Sequence, residues 1–267
     1  MKTRAISAVV AILILTFTYM TWRLQGLYAI TSIGTLGCIF EYSRLRLRRA
    51  RTPLHLQISF MVVSATVFFV GIFATQFALP AAAVGAILLL GMVLPSIRRP
   101  EDIDQTIQIQ SASLVGLLYT AIFPAFVVRT LSLENGTLWL FGLLAIVFSG
   151  DTFAYLTGTF FGKTKLLEPV SPKKTIEGSL GGLFGSGAAG LLLGIFFLRE
   201  VPLLPLVLTA LVSGAFAQIG DLFESLLKRL AEVKDSGRIM PGHGGFLDRL
   251  DGILFAAPVY YVLICLL

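Results

Sequence analysis

Residues 138–161 read LWLFGLLAIVFSGDTFAYLTGTFF. As a helix, a mostly apolar run of this length crosses the hydrocarbon of a bilayer, which takes about 20 residues. One acid, Asp151, interrupts it. In a straight helix that side chain lies about 20 Å from the start of the run. A bare charge at such depth is costly. Asp151 therefore faces a water-filled cavity, pairs with a base, or stays protonated.

Runs of the same kind lie on both sides, giving about nine spans by the length criterion. They are Ala5–Leu24, Leu27–Tyr42, Leu56–Phe77, Ala81–Ile97, Ala112–Val128, Leu138–Phe161, Gly178–Leu198, Pro202–Leu222 and Gly252–Leu267. The expected fold class is an all-α polytopic membrane protein, with the N-terminus cytoplasmic and the C-terminus outside. Alternating the spans from a cytoplasmic start leaves only Arg23, Arg129 and Arg199, of 21 basic residues, on the outer side. That asymmetry is what the positive-inside rule demands. The first run follows Lys2 and Arg4 and lacks a small-residue cleavage site, so it reads as a spanning helix rather than a signal peptide.

Composition agrees. Of 267 residues, 56% are hydrophobic and 13% charged, too apolar for one soluble core. The net charge of +6 does not indicate a nucleic-acid partner, because the bases sit between apolar runs. Cys38 and Cys265 lie far apart in apolar segments, and His55 and His243 form no paired motif. Neither a disulfide framework nor a zinc site is available.

The halves differ. Residues 1–135 have short loops and little polar chemistry. Residues 136–267 hold the intramembrane acid and two long polar loops on the cytoplasmic side, so the chemistry is expected there. The richest stretch, Gly220–Asp251, reads GDLFESLLKRLAEVKDSGRIMPGHGGFLDRLD. Asp221, Glu224, Ser225 and Lys228 share one helical face. The membrane helix is thus expected to continue as an amphipathic segment. Ser236-Gly237 and Pro241-Gly242 read as turns. His243-Gly244-Gly245 lets backbone amides approach an anion. Asp248, Arg249 and Asp251 open the last helix. Acids supply hard oxygen ligands for a divalent cation, and bases neutralise phosphates. A solvated loop with ordinary ion pairs has the same spacing; the mixture of acids, bases, histidine and glycines favours chemistry.

A second element is Ser171-Pro172-Lys173-Lys174-Thr175 with Glu177-Gly178 and Gly181-Gly182 behind it. Two lysines at a helix N-terminus oppose the helix dipole, and a bound phosphate would account for them as well as positive-inside flanking does. Gly178, Gly182, Ser186, Gly190 and Gly194 recur every four residues. Such a stripe lets helices approach closely. Packing within the chain and a homodimer seam fit it equally.

The first of these elements resembles the signature of phosphatidate cytidylyltransferases (CDP-diacylglycerol synthases). The matching residues are Ser225, Lys228-Arg229, Lys234-Asp235, Pro241 with His243-Gly244-Gly245, and Asp248-Arg249 with Asp251. The Ser171–Gly182 element and Asp151-Thr152 with Ala154-Tyr155 are similar to further motifs of that family. The resemblance implies transfer of CMP from CTP to phosphatidate, giving CDP-diacylglycerol and pyrophosphate. It implies Mg2+, with room for a second, monovalent cation such as K+. Asp221, Asp251 and Asp248 are the expected metal group. Lys173, Lys174, Lys228 and Arg229 are expected on phosphates, His243, Gly244 and Gly245 around an anion, and Asp151 in the polar cavity. The setting would be a bacterial inner membrane, with the site facing the cytoplasm. A CDP-archaeol synthase or a CTP-dependent polyprenol kinase solves a similar chemical problem. A transporter using Asp151 as an ion site is a different class, as is a scaffold holding anionic lipid.

Overall fold

The computed structural model describes residues 2–237 and 244–267, with side chains from residue 17 onward. The chain begins with α1 (Lys2–Tyr42), two helical segments joined by a kink at Arg23, where φ is 48° and ψ −131°. The expected first and second spans are therefore two helical segments, meeting at this kink close to the expected Leu24–Leu27 junction. A π turn, Ser43–Leu47, ends it. Next come α2 (Leu54–Phe73), α3 (Ala78–Gly91), α4 (Asp102–Leu117) and α5 (Phe123–Leu131), the last two joined by a π turn at Leu118–Ile122. Then follow α6 (Gly136–Phe161), a hairpin of β1 (Lys165–Leu167) and β2 (Ser171–Thr175), α7 (Ile176–Phe196), α8 (Leu203–Leu230) and α9 (Leu247–Ile264).

Six helices among the described residues are long and apolar enough to cross a bilayer: Leu54–Phe73, Thr75–Ser96, Asp102–Leu131, Gly136–Phe161, Ile176–Phe196 and Leu203–Leu230. The count of nine is not reached. Helix α1 has side chains described only from residue 17, and α9 carries Asp248, Arg249 and Asp251 near its start. The helical class holds, with one correction. Residues 165–175 form an antiparallel hairpin, with Lys165 opposite Thr175 and Leu167 opposite Ser171. Its strands are too short and too charged to show an apolar alternation. Lys173 and Lys174 consequently sit on β2, ahead of a helix capped by Thr175, whose Oγ1 accepts the Gly178 N–H at 3.1 Å.

The fifth span starts ten residues before its expected position. Asp102, Asp104 and Gln105 suggest a loop, but both acids lie in the first turn of α4, where the helix dipole favours them, and Asp102 accepts the N–H groups of Arg98 and Arg99 at 2.9 Å, holding the preceding turn. Helix α8 runs on to Leu230, as its amphipathic stripe predicts.

The chain packs as two units, each with its own interior: Met1–Val128 with Leu230–Arg249, and Arg129–Arg229 with Leu250–Leu267. In the first, Tyr42 is fully buried between Phe60 and Tyr119, with ring centroids 5.8 and 6.5 Å away. Its hydroxyl donates to Ala112 O at 2.8 Å. Gly116 leaves room for the Tyr42 and Phe60 rings.

In the second unit, small residues carry the helix contacts. Gly178 meets Gly158, Gly182 lies against Gly150 O and Ala154, and Ser186 donates to Ile146 O at 3.0 Å. Farther along, Gly190 faces Ala210 on α8. The stripe is thus spent inside the chain, on α6 and α8, and gives no support to a homodimer seam. Lipid tails provide little hydrophobic drive between helices, so close van der Waals approach holds them. On the other side of α7, Leu180 is 61% exposed and Phe184 67%. An apolar face of that kind suits lipid contact.

Candidate active site

The polar centre of the second unit is built on α8. Gly220 lies directly against the backbone of α9. A side chain there would run into Asp251 O and come within 2.9 Å of the Phe255 Cβ. This crossing brings Asp221 beside Asp251, and the two charges act on one another. Asp151, from the middle of α6, acts on both. Three acids from three helices therefore share one electrostatic neighbourhood. Lys174 Nζ on β2 pairs with Asp221 Oδ2 at 2.6 Å. One turn farther along α8, Lys228 pairs with the fully buried Glu224. Lys174 also acts on Asp151, and Lys228 on Asp251.

The hairpin that carries Lys174 is held in place. Glu177 accepts the N–H groups of Lys163 at 3.1 Å and Thr164 at 3.2 Å. Arg229 Nε donates to Val170 O at 3.1 Å, tying the strand connection to the end of α8. Ser179 on α7 donates to Gln218 Oε1, and Gln218 Nε2 returns a bond to Ser179 O at 3.0 Å. Lys173 points the other way along the strand and is exposed.

Among the described residues, no group of three or more His, Cys, Asp or Glu side chains is arranged to hold a metal ion. Magnesium seldom needs such a cage, since it binds through one or two carboxylates and completes its shell with water and phosphate oxygens. Asp221 and Asp251, whose charges act on one another, are the two carboxylates here that could serve in this way.

Asp248 sits in the first unit, in the first turn of α9. Its Oδ2 accepts the Ser236 N–H at 2.7 Å, the Ser236 hydroxyl at 2.8 Å and the Gly245 N–H at 2.9 Å. Gly244 has φ +81°, and a Cβ there would strike the Asp248 carboxylate, so both conformation and space require glycine. These contacts shape the turn before α9. His243 and Pro241 lie outside the described residues.

Of the predicted residues, the fold groups Asp151, Asp221, Asp251, Lys174 and Lys228. It places Gly244 and Gly245 at the turn before α9, Asp248 in the first turn of α9, Lys173 on β2, and Arg229 at the end of α8, bonded to the hairpin. Sequence reasoning gave no role to Glu224, Gln218 or Glu41. Gln218 stands three residues before Asp221 within an apolar helix, a usable signal. Glu41 has none beyond being an acid beside a run of arginines.

Comparisons with known proteins place the chain in a family. The model of the Cytidylyltransferase family matches residues 2–267. A phosphatidate cytidylyltransferase of Bacillus subtilis is 32% identical over 274 residues, covering 100% of this chain and 98% of its own length. One from Thermotoga maritima is 36% identical over 188 residues, covering 66% of this chain and 67% of itself. One from Synechocystis is 37% identical over 187 residues, covering 59% and 62%. With the family model matching residues 2–267, and a relative 32% identical over the whole chain, the chain belongs to the cytidylyltransferase family.

Proposed function

We propose that this chain is a phosphatidate cytidylyltransferase of the bacterial inner membrane, turning CTP and phosphatidate into CDP-diacylglycerol and pyrophosphate. The observation that carries the reading is the convergence of Asp151, Asp221 and Asp251 with Lys174 and Lys228 around the α8–α9 crossing, in a chain of this family. A phosphate oxygen of the lipid attacks the α-phosphorus of CTP. The bond from that phosphorus to the bridging oxygen breaks, and pyrophosphate leaves with its electron pair. The lipid phosphate is already ionised, so no protein nucleophile is required and Ser225 has no covalent role.

The obstacle is repulsion between two anions, and positive charge placed in advance relieves it. Asp221 and Asp251 would hold a magnesium ion; when bound, it supplies charge to the triphosphate and to the leaving pyrophosphate. Lys174 and Lys228, now paired with Asp221 and Glu224, exchange those carboxylates for substrate phosphates. Lys173 and Arg229 lie at the same hairpin and extend the basic rim. The anion role of His243, Gly244 and Gly245 rests on the family signature alone, since the Gly245 N–H is given to Asp248 Oδ2. A second, monovalent cation such as K+ would find further oxygen ligands at Asp151. The site faces the cytoplasm, where CTP is supplied, and opens sideways to the lipid.

Purified full-length protein in phosphatidate micelles, given CTP labelled at the α- or the γ-phosphate, tests this. The expected result is α-label in the lipid fraction and γ-label in pyrophosphate. Transfer of γ-label to a lipid would mean a kinase, and no transfer of either label to any lipid would defeat the reading.

A further inference from the structure

Glu41, in the last turn of α1, is 2% exposed. A carboxylate buried to that degree needs donors, because desolvation is otherwise too costly. Three are present. Oε1 accepts the Phe246 N–H at 3.0 Å, and Oε2 accepts the Leu247 N–H and the Ser236 hydroxyl, each at 3.0 Å. The two amides belong to the start of α9, where backbone N–H groups lack helical partners and attract negative charge.

The fit extends beyond these bonds. A Cβ on Gly237 or on Gly245 would enter the Glu41 carboxylate. One helical turn earlier, Gly37 has no side chain and the Phe246 ring occupies the place. Gly37 and Glu41 thus form a seat on α1 into which the turn before α9 settles. Ser236 joins this seat to Asp248. Its hydroxyl lies within bonding distance of both carboxylates and has one proton to give. The residues from Lys234 to Gly237 also wall a cleft of about 750 Å³, with Arg44, Arg48 and Glu41 on its other side.

We infer that Glu41 is a positioning residue for the reaction: from the first helix it fixes the backbone of the signature turn, Ser236 and Gly245–Leu247, and through Ser236 it orients Asp248. This gives the N-terminal half a part in the chemistry. Glycine at positions 237 and 245 then has a steric reason, the volume of the Glu41 carboxylate. The inference rests on the cytidylyltransferase reading for its effect on turnover, but the geometry can be tested without it.

The test uses the full-length chain in detergent, comparing Glu41→Gln and Ser236→Ala with the wild type. Glutamine keeps the shape but turns an amide NH2 toward N–H donors. Turnover of CTP and phosphatidate is expected to fall at least about tenfold in Glu41→Gln and less in Ser236→Ala, as for loss of charge-assisted hydrogen bonds. Hydrogen exchange is read on the same samples. Protection of the Phe246 and Leu247 amides is expected to drop in Glu41→Gln, while peptides of α2 and α4 keep theirs. Wild-type turnover in Glu41→Gln, or unchanged protection at those two amides, would overturn the inference. So would loss of protection throughout the unit, which would make Glu41 a general structural contact. An inactive wild type would sink the enzymatic reading instead and leave the exchange result to decide the geometry.

Discussion

Replacing Asp251 by Asn is expected to lower CTP-dependent formation of CDP-diacylglycerol by about 100-fold or more, the scale of losing a principal electrostatic contribution at a reacting centre. Asparagine keeps the shape of the side chain and its neighbours on α9. It removes one of two carboxylates that α8 and α9 bring together. The site must gather positive charge around a triphosphate and a lipid phosphate, and a cation held by one acid in place of two is held weakly. Asp221→Asn should lose as much and should also release Lys174 from its ion pair. The double variant should be little worse than either single one, because the two residues act as a unit. Initial rates across a magnesium titration check this. Near-normal turnover of either single variant at all magnesium concentrations would remove that residue from the metal pair.

Gly220→Ala should have an effect of similar weight for a different reason. The new methyl would collide with the backbone oxygen of Asp251, which cannot swing aside as a flexible side chain could. Overpacking of this kind costs about 1–3 kcal/mol. The strain falls on the crossing that aligns Asp221 with Asp251. Activity is expected to fall more than about tenfold, since small misplacements of reacting groups are expensive. The unfolding midpoint in detergent should drop by several degrees. Gly91→Ala is the control: outside the local helix backbone no atom lies within 4 Å of the added carbon, and neither activity nor the midpoint should fall. Equal behaviour of the two variants would show that the α8–α9 contact is not tight.

These two residues also mark what the sequence could and could not reveal. Helical spans were legible because an apolar run and its basic flanks are local features, and Leu138–Phe161 falls almost on α6. Asp221, Glu224 and Lys228 were legible as a stripe because helical spacing alone puts them on one face. The hairpin at 165–175 was not. Its strands are held by one another and by Glu177 and Arg229, not by an apolar alternation. The use of the Gly178–Gly194 stripe was likewise open, since small residues say that something comes close without saying what. Asp248 read as one more acid for the cation, whereas its visible bonds go to Ser236 and Gly245. Glu41 was silent because its donors lie about two hundred positions away along the chain. Long-range partners of this kind leave no pattern in a single sequence.

Manganese binding followed by electron paramagnetic resonance most directly tests whether Asp221 and Asp251 hold one cation for this chemistry. Wild-type protein in detergent should take up the ion, bind it more tightly when CTP is added, and lose that uptake in both Asp221→Asn and Asp251→Asn. Undiminished manganese uptake with CTP in both variants would contradict the account.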